Sequence, residues 1–170
     1  MILIEDFKYK SQCYFNRTDF KSVLRVLLSD GSSAVILYRI ARFFRNVGLG
    51  FVGWIFLELN KINGCVIGRK AEFGPGLVIM HSVGIVINAG VKAGRNIVIE
   101  SGVVISAARS GLPVKVPVLG NNIFIGAGAK ILGGITIGNN VKVGANAVVV
   151  SDVPDGATVV GIPAKIVKRV

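Results

Sequence analysis

From Ile67 onward an aliphatic or aromatic residue returns at every sixth position. The first block runs Ile67, Phe73, Ile79, Ile85, Val91, Ile97, Val103, and the second Leu119, Ile125, Ile131, Ile137, Val143, Val149. Small or β-branched residues sit four places after many of these guides, as at Ala71, Ala129 and Ala147. Glycine follows the guide directly at Gly120, Gly126, Gly138 and Gly144. A period of six matches neither the 3.6 of a helix nor the simple alternation of a half-buried strand. It fits a solenoid in which each sextet is one short strand plus a turn, three sextets close one triangular coil, and coils stack by parallel pairing. Guides point inward, and stretches such as Gly138-Asn139-Asn140 supply corners where positive φ is needed. Thirteen sextets predict a little over four coils.

The two blocks are separated by Arg109 to Val118 (RSGLPVKVPV), ten residues with two prolines and two cations. Proline cannot continue a strand ladder, so this segment is expected to leave the solenoid as a loop where specificity can be added.

The first 64 residues follow a helical pattern instead. Phe20, Val23, Leu24, Leu27 and Leu28 recur at helical spacing in 19–29, with Thr18 as the expected N-cap. In 33–47, Val35, Ile36, Ile40, Phe43 and Phe44 mark one side while Arg39, Arg42 and Arg45 fall at threes on another; 51–62 is apolar and contains Trp54. The fold class expected is mainly β: a parallel β-helix over 65–170 with one extruded loop at 109–118, and a small α-helical segment over 1–64 covering its open end. The arginines either pack there or meet anionic headgroups at the inner face of a membrane.

Composition narrows the function. The chain has 170 residues, 52% hydrophobic and 8% aromatic, with 22 glycines, which suits one β-rich domain. Val47 to Leu57, the longest uncharged stretch of the first half, is far short of the roughly 20 residues needed to cross a bilayer. Glu5, Asp6 and Lys8 interrupt any leader-like pattern, so a cytoplasmic protein is expected. Two unrelated cysteines and one histidine argue against a disulfide framework or a metal site. The net charge of +11 calls for an anionic partner. With no arginine-rich run and no basic helix interleaved with aromatics, nucleic acid is not the partner expected.

His81, the lone histidine, lies near a coil corner in VIMHSVGIVINAG, and a valine and isoleucine core has little use for imidazole. That stretch, with 125–132 (IGAGAKIL), 135–150 (ITIGNNVKVGANAVVV) and 153–167 (VPDGATVVGIPAKIV), resembles the hexapeptide-repeat acyltransferases of the serine acetyltransferase branch. The resemblance covers roughly 65 to 170. It implies a left-handed parallel β-helix, a homotrimer, acetyl-coenzyme A as co-substrate, no metal, and His81 as the general base that takes a proton from an acceptor hydroxyl or amine. It also implies coenzyme A contacts at Ala107, Ala127 and Ala145, with Lys165, Lys168 and Arg169 near its phosphates.

This chain departs from the branch where serine is recognised. Met80 and Val66 stand where the branch has aspartates, and Lys115-Val116 where it has an arginine-histidine pair. Glu100, about one coil from His81, is the candidate to orient the base, and Lys115 and Asn88 are candidates for acceptor contact. With an apolar edge and a basic surface, the chain looks closest in character to the exopolysaccharide and capsule O-acetyltransferases. The expected reaction is therefore O-acetylation of a sugar hydroxyl on a polysaccharide or its precursor, by direct transfer in a ternary complex. Serine O-acetylation, sugar-nucleotide N-acetylation and a non-catalytic scaffold are the alternatives.

Overall fold

The computed structural model describes residues 2–108 and 114–169, and Arg109 to Pro113 of the expected loop lie outside the described residues. Four α-helices come first: α1 (Ile2–Phe15), α2 (Phe20–Leu27), α3 (Ser32–Asn46) and α4 (Gly50–Asn60), followed by one 3₁₀ turn at Lys61–Asn63. The first coil holds β1 (Cys65–Ile67), β2 (Glu72–Phe73) and β3 (Leu77–Ile79). The second holds β4 (Ile85–Ile87), β5 (Lys92–Ala93) and β6 (Ile97–Ile99). The third is built from β7 (Val104–Ser106), β8 (Val118–Leu119) and β9 (Ile123–Ile125), and the fourth from β10 (Lys130–Leu132), β11 (Thr136–Ile137) and β12 (Lys142–Val143). A fifth comprises β13 (Val148–Val149), a bridge at Val153 and β14 (Ala157–Val160), and β15 (Lys165–Arg169) folds back on β14.

Three parallel sheets form the prism: sheet A is β1-β4-β7-β10-β13, sheet B is β2-β5-β8-β11, and sheet C runs β3-β6-β9-β12-β14 before antiparallel β15. Inward guides stack in columns such as Ile79, Ile99 and Ile125, all fully buried. At the corner between sheets B and C, Asn96, Asn122 and Asn140 adopt φ of 59°, 56° and 56°, and their carboxamides bond from coil to coil at 2.9 and 3.1 Å. Asparagine tolerates this left-handed backbone better than other non-glycine residues.

The register corrects the expected phase. Ile67 pairs with Ile87 and Ile79 with Ile99, each twenty residues on, so the second-coil guides are Ile87, Ala93 and Ile99, and not Ile85, Val91 and Ile97. Later coils return to eighteen, as in Phe124 to Lys142 and Leu119 to Ile137. The loop insertion is correspondingly shorter. Ala93 pairs with Leu119, twenty-six residues on, which leaves eight extra residues rather than ten, and Val118 already belongs to β8. Corners then shorten, with Ile137 meeting Val153 after sixteen, which carries the stack to five rungs.

The helices close the exposed end of the first coil, whose backbone groups have no coil above them. Tyr38 Oη donates to the Ala71 carbonyl and accepts from the Phe73 N–H, at 3.0 and 3.1 Å. Arg39 is buried, donates to the carbonyls of Phe73 and Gly74, and pairs with Asp6 at 2.7 Å. Asp6 Oδ1 in turn accepts from the N–H groups of Gly76 and Leu77, at 2.8 and 2.9 Å. Arg42 reaches the Phe73 carbonyl and Arg45 the Arg69 carbonyl. The arginine face of α3 is thus engaged by the coil end, the packing role rather than the headgroup role weighed for it. Asp19, rather than Thr18, caps α2 by accepting from the Ser22 N–H at 3.1 Å. Ala34, Val35 and Tyr38 join the core of the coils, so helices and solenoid share one apolar interior. Among the described residues no helix is long and apolar enough to cross a membrane.

Candidate active site

The twenty-residue first turn of the solenoid localises its own insertion. Between sheets C and A, the Gly102 N–H bonds to the Val83 carbonyl and the Gly128 N–H to the Ser101 carbonyl, so Val83-Gly84 stacks on Ser101-Gly102 and Ala127-Gly128. Met80 likewise lies over Glu100, since the Met80 N–H bonds to Ile99 and the Glu100 N–H to Ile125. The two residues with no counterpart in the next coil are His81 and Ser82. His81 projects from the corner with its side chain 59% exposed, while Ser82 turns inward and is buried.

His81 has a partner the sequence did not reveal. Asp30, in the turn between α2 and α3, places Oδ2 2.9 Å from His81 Nδ1 across 51 residues of chain. Its other oxygen, Oδ1, accepts from the Gly31 N–H at 2.7 Å. The hydrogen bond from His81, helped by the Gly31 N–H and by Lys10, holds the Asp30 carboxyl below the usual carboxylate range against its partial desolvation. An ionised carboxylate at Nδ1 fixes the tautomer that carries hydrogen there, which leaves Nε2 with its lone pair as a proton acceptor.

Glu100, expected to orient the base, does not do so. It lies beneath Met80, half-buried, and no bond joins it to His81 among the described residues. It is near Tyr14, whose hydroxyl is pushed up by burial and then by the Glu100 and Asp30 charges. The register explains the error: eighteen residues from His81 reach Ile99, but this coil has twenty.

The remaining candidates spread over the prism. Ala127 and Ala145 stack below the His81 corner, the Asn146 N–H bonding to the Ala127 carbonyl, and form a small-residue track with Ser101. At about 4.8 Å per coil, Ala145 lies about 14 Å below Val83. Ala107 follows β7 at the next corner, between sheets A and B. Asn88 is at that corner too, its Oδ1 accepting from the Gly90 N–H at 3.0 Å, and is not brought to His81. Lys115 is exposed, and its stem rests on Gly134, where an added Cβ would come within 2.3 Å of Lys115 Cβ. Lys165 and Lys168 are exposed on β15 at the far end of sheet C. Cys65 is fully buried with its thiol pushed up to about 12 by burial, which removes it as a nucleophile. Among the described residues no cluster of metal ligands is present.

Exposed apolar residues lie near His81 in the first two coils. Val66 and Val86 pair on the outer face of sheet A, 40% and 42% exposed, and Val83 is 67% exposed at the corner. A cleft of about 450 Å³ opens beside Met80, between Tyr9 and Cys13 of α1 and the outer face of sheet C at Val98, Phe124 and Lys142.

Residues 117–151 match the family model described as bacterial transferase hexapeptide, six repeats. A serine acetyltransferase of Helicobacter pylori is 37% identical over 145 residues, which make up 85% of each chain. The chain belongs to the serine acetyltransferase family of hexapeptide-repeat acyltransferases. It is an acyltransferase with the left-handed β-helix of that family. A relative from Synechococcus elongatus, also a serine acetyltransferase, is 36% identical over 86% of this chain but only 61% of its own length. The crystal structure of Neisseria gonorrhoeae serine acetyltransferase superposes with a TM-score of 0.84 at 33% identity, over 98% of this chain and 65% of that one. The Brucella abortus serine acetyltransferase in complex with coenzyme A gives 0.88 at 28% identity, over 99% and 67%. The chain thus spans about two thirds of these solved relatives. They are serine acetyltransferases, not the polysaccharide O-acetyltransferases that the apolar edge and basic surface suggested.

Proposed function

We propose that the protein transfers the acetyl group of acetyl-coenzyme A to an acceptor hydroxyl in a ternary complex, with His81 as general base. The observation that carries this reading is the 2.9 Å contact between Asp30 Oδ2 and His81 Nδ1 at a corner raised by a two-residue insertion. Nε2 takes the hydroxyl proton as the oxygen attacks the thioester carbonyl carbon. The tetrahedral intermediate then expels the coenzyme A thiolate, which takes the same proton back from the imidazolium. Asp30 stabilises that imidazolium while it lasts. The Ser101, Ala127 and Ala145 track gives the pantetheine arm a close approach along the corner, and Lys165 and Lys168 offer charge to the nucleotide phosphates. A homotrimer fits the same reading, since the outward valines of sheet A are an apolar face for a symmetry mate.

Serine is the acceptor assigned first, because the relatives over 85% of the chain are serine acetyltransferases. A second reading, a neutral sugar hydroxyl, is favoured by one specific observation: Met80 and Val83, beside His81 in the chain, and the exposed valines Val66 and Val86 of sheet A carry no charge with which to hold serine's amino and carboxyl groups. The test is thiol release from acetyl-coenzyme A by the wild type and by His81→Ala, with serine, sugar nucleotides and saccharide fragments as acceptors. His81→Ala is expected to lose about 10²- to 10⁴-fold in kcat with coenzyme A binding intact. Stimulation by serine alone selects the first acceptor, and stimulation by a saccharide alone the second. Equal rates for both proteins with every acceptor would reject His81 as the base.

A further inference from the structure

Lys10 is a buried lysine that the chemistry above does not use. Only 1% of it is exposed, yet its ammonium has three acceptors: the Asp30 carbonyl, Ser32 Oγ at 2.9 Å and the Ile79 carbonyl at 3.0 Å. These belong to two segments that meet nowhere else in sequence. One is the turn that carries Asp30; the other is the end of β3, two residues before His81. Gly31 shows how closely the two are pressed: a Cβ there would lie 2.2 Å from the Ile79 carbonyl oxygen, and its φ is +74°.

We infer that Lys10 is a positioning residue for the acyl transfer, holding the Asp30 turn against the His81 corner so that the carboxylate meets Nδ1. The inference rests on His81 being the base. An ammonium with three acceptors on two segments fixes their separation, whereas an apolar contact would let them slide. Among the described residues the Asp30 carboxylate itself is bonded by the Gly31 N–H and by His81, and the Lys10 bonds act together with the close packing of Gly31 on Ile79 to set the height of the turn above the corner. Burial pushes the Lys10 ammonium down to about 8, partly opposed by Asp30, so it stays charged at neutral pH. Misplacing a catalytic group by about 1 Å can cost about a hundredfold in rate, and Lys10 guards against a displacement of that size.

The chain's lone histidine makes the test specific, because ¹⁵N NMR of labelled protein shows one imidazole and reads its tautomer directly. In wild type the hydrogen is expected on Nδ1. In Lys10→Met the Nδ1–H population is expected to fall to that of Asp30→Asn, with kcat about 10- to 100-fold lower, KM for acetyl-coenzyme A unchanged, and no further loss in the double variant. Lys10→Arg, which keeps the charge but cannot set one nitrogen on three acceptors, is expected to lie between, and it carries the test if Lys10→Met does not fold. A variant that only unfolds more readily, with wild-type tautomer and wild-type kcat per folded molecule, would overturn the inference. If His81→Ala proves fully active, the base assignment falls, while the tautomer measurement still decides what Lys10 does.

Discussion

Asp30→Asn keeps the shape of the side chain and removes its charge, so it isolates what the carboxylate contributes to the base. The pair is 2.9 Å apart with side chains 59% and 54% exposed, which makes water the relevant dielectric limit. At that limit a carboxylate and an imidazolium attract by about 1.4 kcal/mol, equivalent to about tenfold in rate if the attraction exists only once the proton has moved. The carboxamide also loosens the tautomer by offering a donor as readily as an acceptor to Nδ1, which brings the expected loss to between about 10- and 100-fold in kcat. The assay is initial rate of thioester loss at saturating acetyl-coenzyme A and the best acceptor, for wild type, Asp30→Asn and His81→Ala. Because Asp30 titrates below the usual carboxylate range, its charge is present throughout neutral pH, and the advantage of wild type over Asp30→Asn is expected to persist there. It should shrink only as acid protonates Asp30. An Asp30→Asn rate within twofold of wild type, beside a crippled His81→Ala, would show that the carboxylate does not orient the base.

Gly31→Ala forces a Cβ to within 2.2 Å of the Ile79 carbonyl oxygen at a φ of +74°, so the Asp30 turn must lift. kcat is expected to fall at least about tenfold, beyond anything due to unfolded protein, and an unchanged kcat per folded molecule would contradict the docking described. Ile125→Ala removes a fully buried guide from the middle of its column and is expected to cost about 2 to 5 kcal/mol in urea unfolding, with no effect on coenzyme A affinity of the folded form. Cys65 ionises at about 12 folded against an ordinary 9.0, so above pH 9 the unfolded chain loses its thiol proton first and stability falls with pH. Cys65→Ala is therefore expected to gain up to about 1.4 kcal/mol per pH unit relative to wild type as pH rises from 9.0 toward about 12, read from urea midpoints; parallel curves would refute it.

What the sequence disclosed and what it hid follow from the same geometry. The period of six was legible because columns such as Ile125 to Val143 keep one phase over many residues. The slip between Ile79 and Ile87 was not, because alternate strand residues face the same way and Ile85 is as buried as Ile87. His81 stood out as the wrong kind of residue for an apolar corner. Asp30 did not, since Ser29-Asp30-Gly31 reads as an ordinary turn before a helix and its partner is 51 residues away. Helix α1 carries no clear apolar face, with Phe7 as its one buried aromatic. It buries Asp6, Lys10 and Ser11 and leaves Ile2 and Ile4 exposed, because what it covers is a polar strand edge that needs charges. An apolar moment cannot find such a helix.

The helical layer therefore does two things with one set of contacts. Asp6 and Lys10, one turn apart on α1, satisfy the N–H groups at the start of β3 and the carbonyl at its end, as an edge strand requires. The same Lys10 ammonium carries the Asp30 turn, so the docking that protects the solenoid edge also brings the carboxylate to His81. Val66 and Met80 stand where the family resemblance would place aspartates. Supplying the carboxylate from the helices instead frees those positions to be apolar without stranding the imidazole. On the proposed mechanism, base activation would depend on how α1 and the Asp30 turn sit on the first coil, and acceptor choice would be left to coil residues such as Val66 and Val86. A substitution at Val66 or Val86 should then change which acceptor is used while leaving the His81 tautomer as it is.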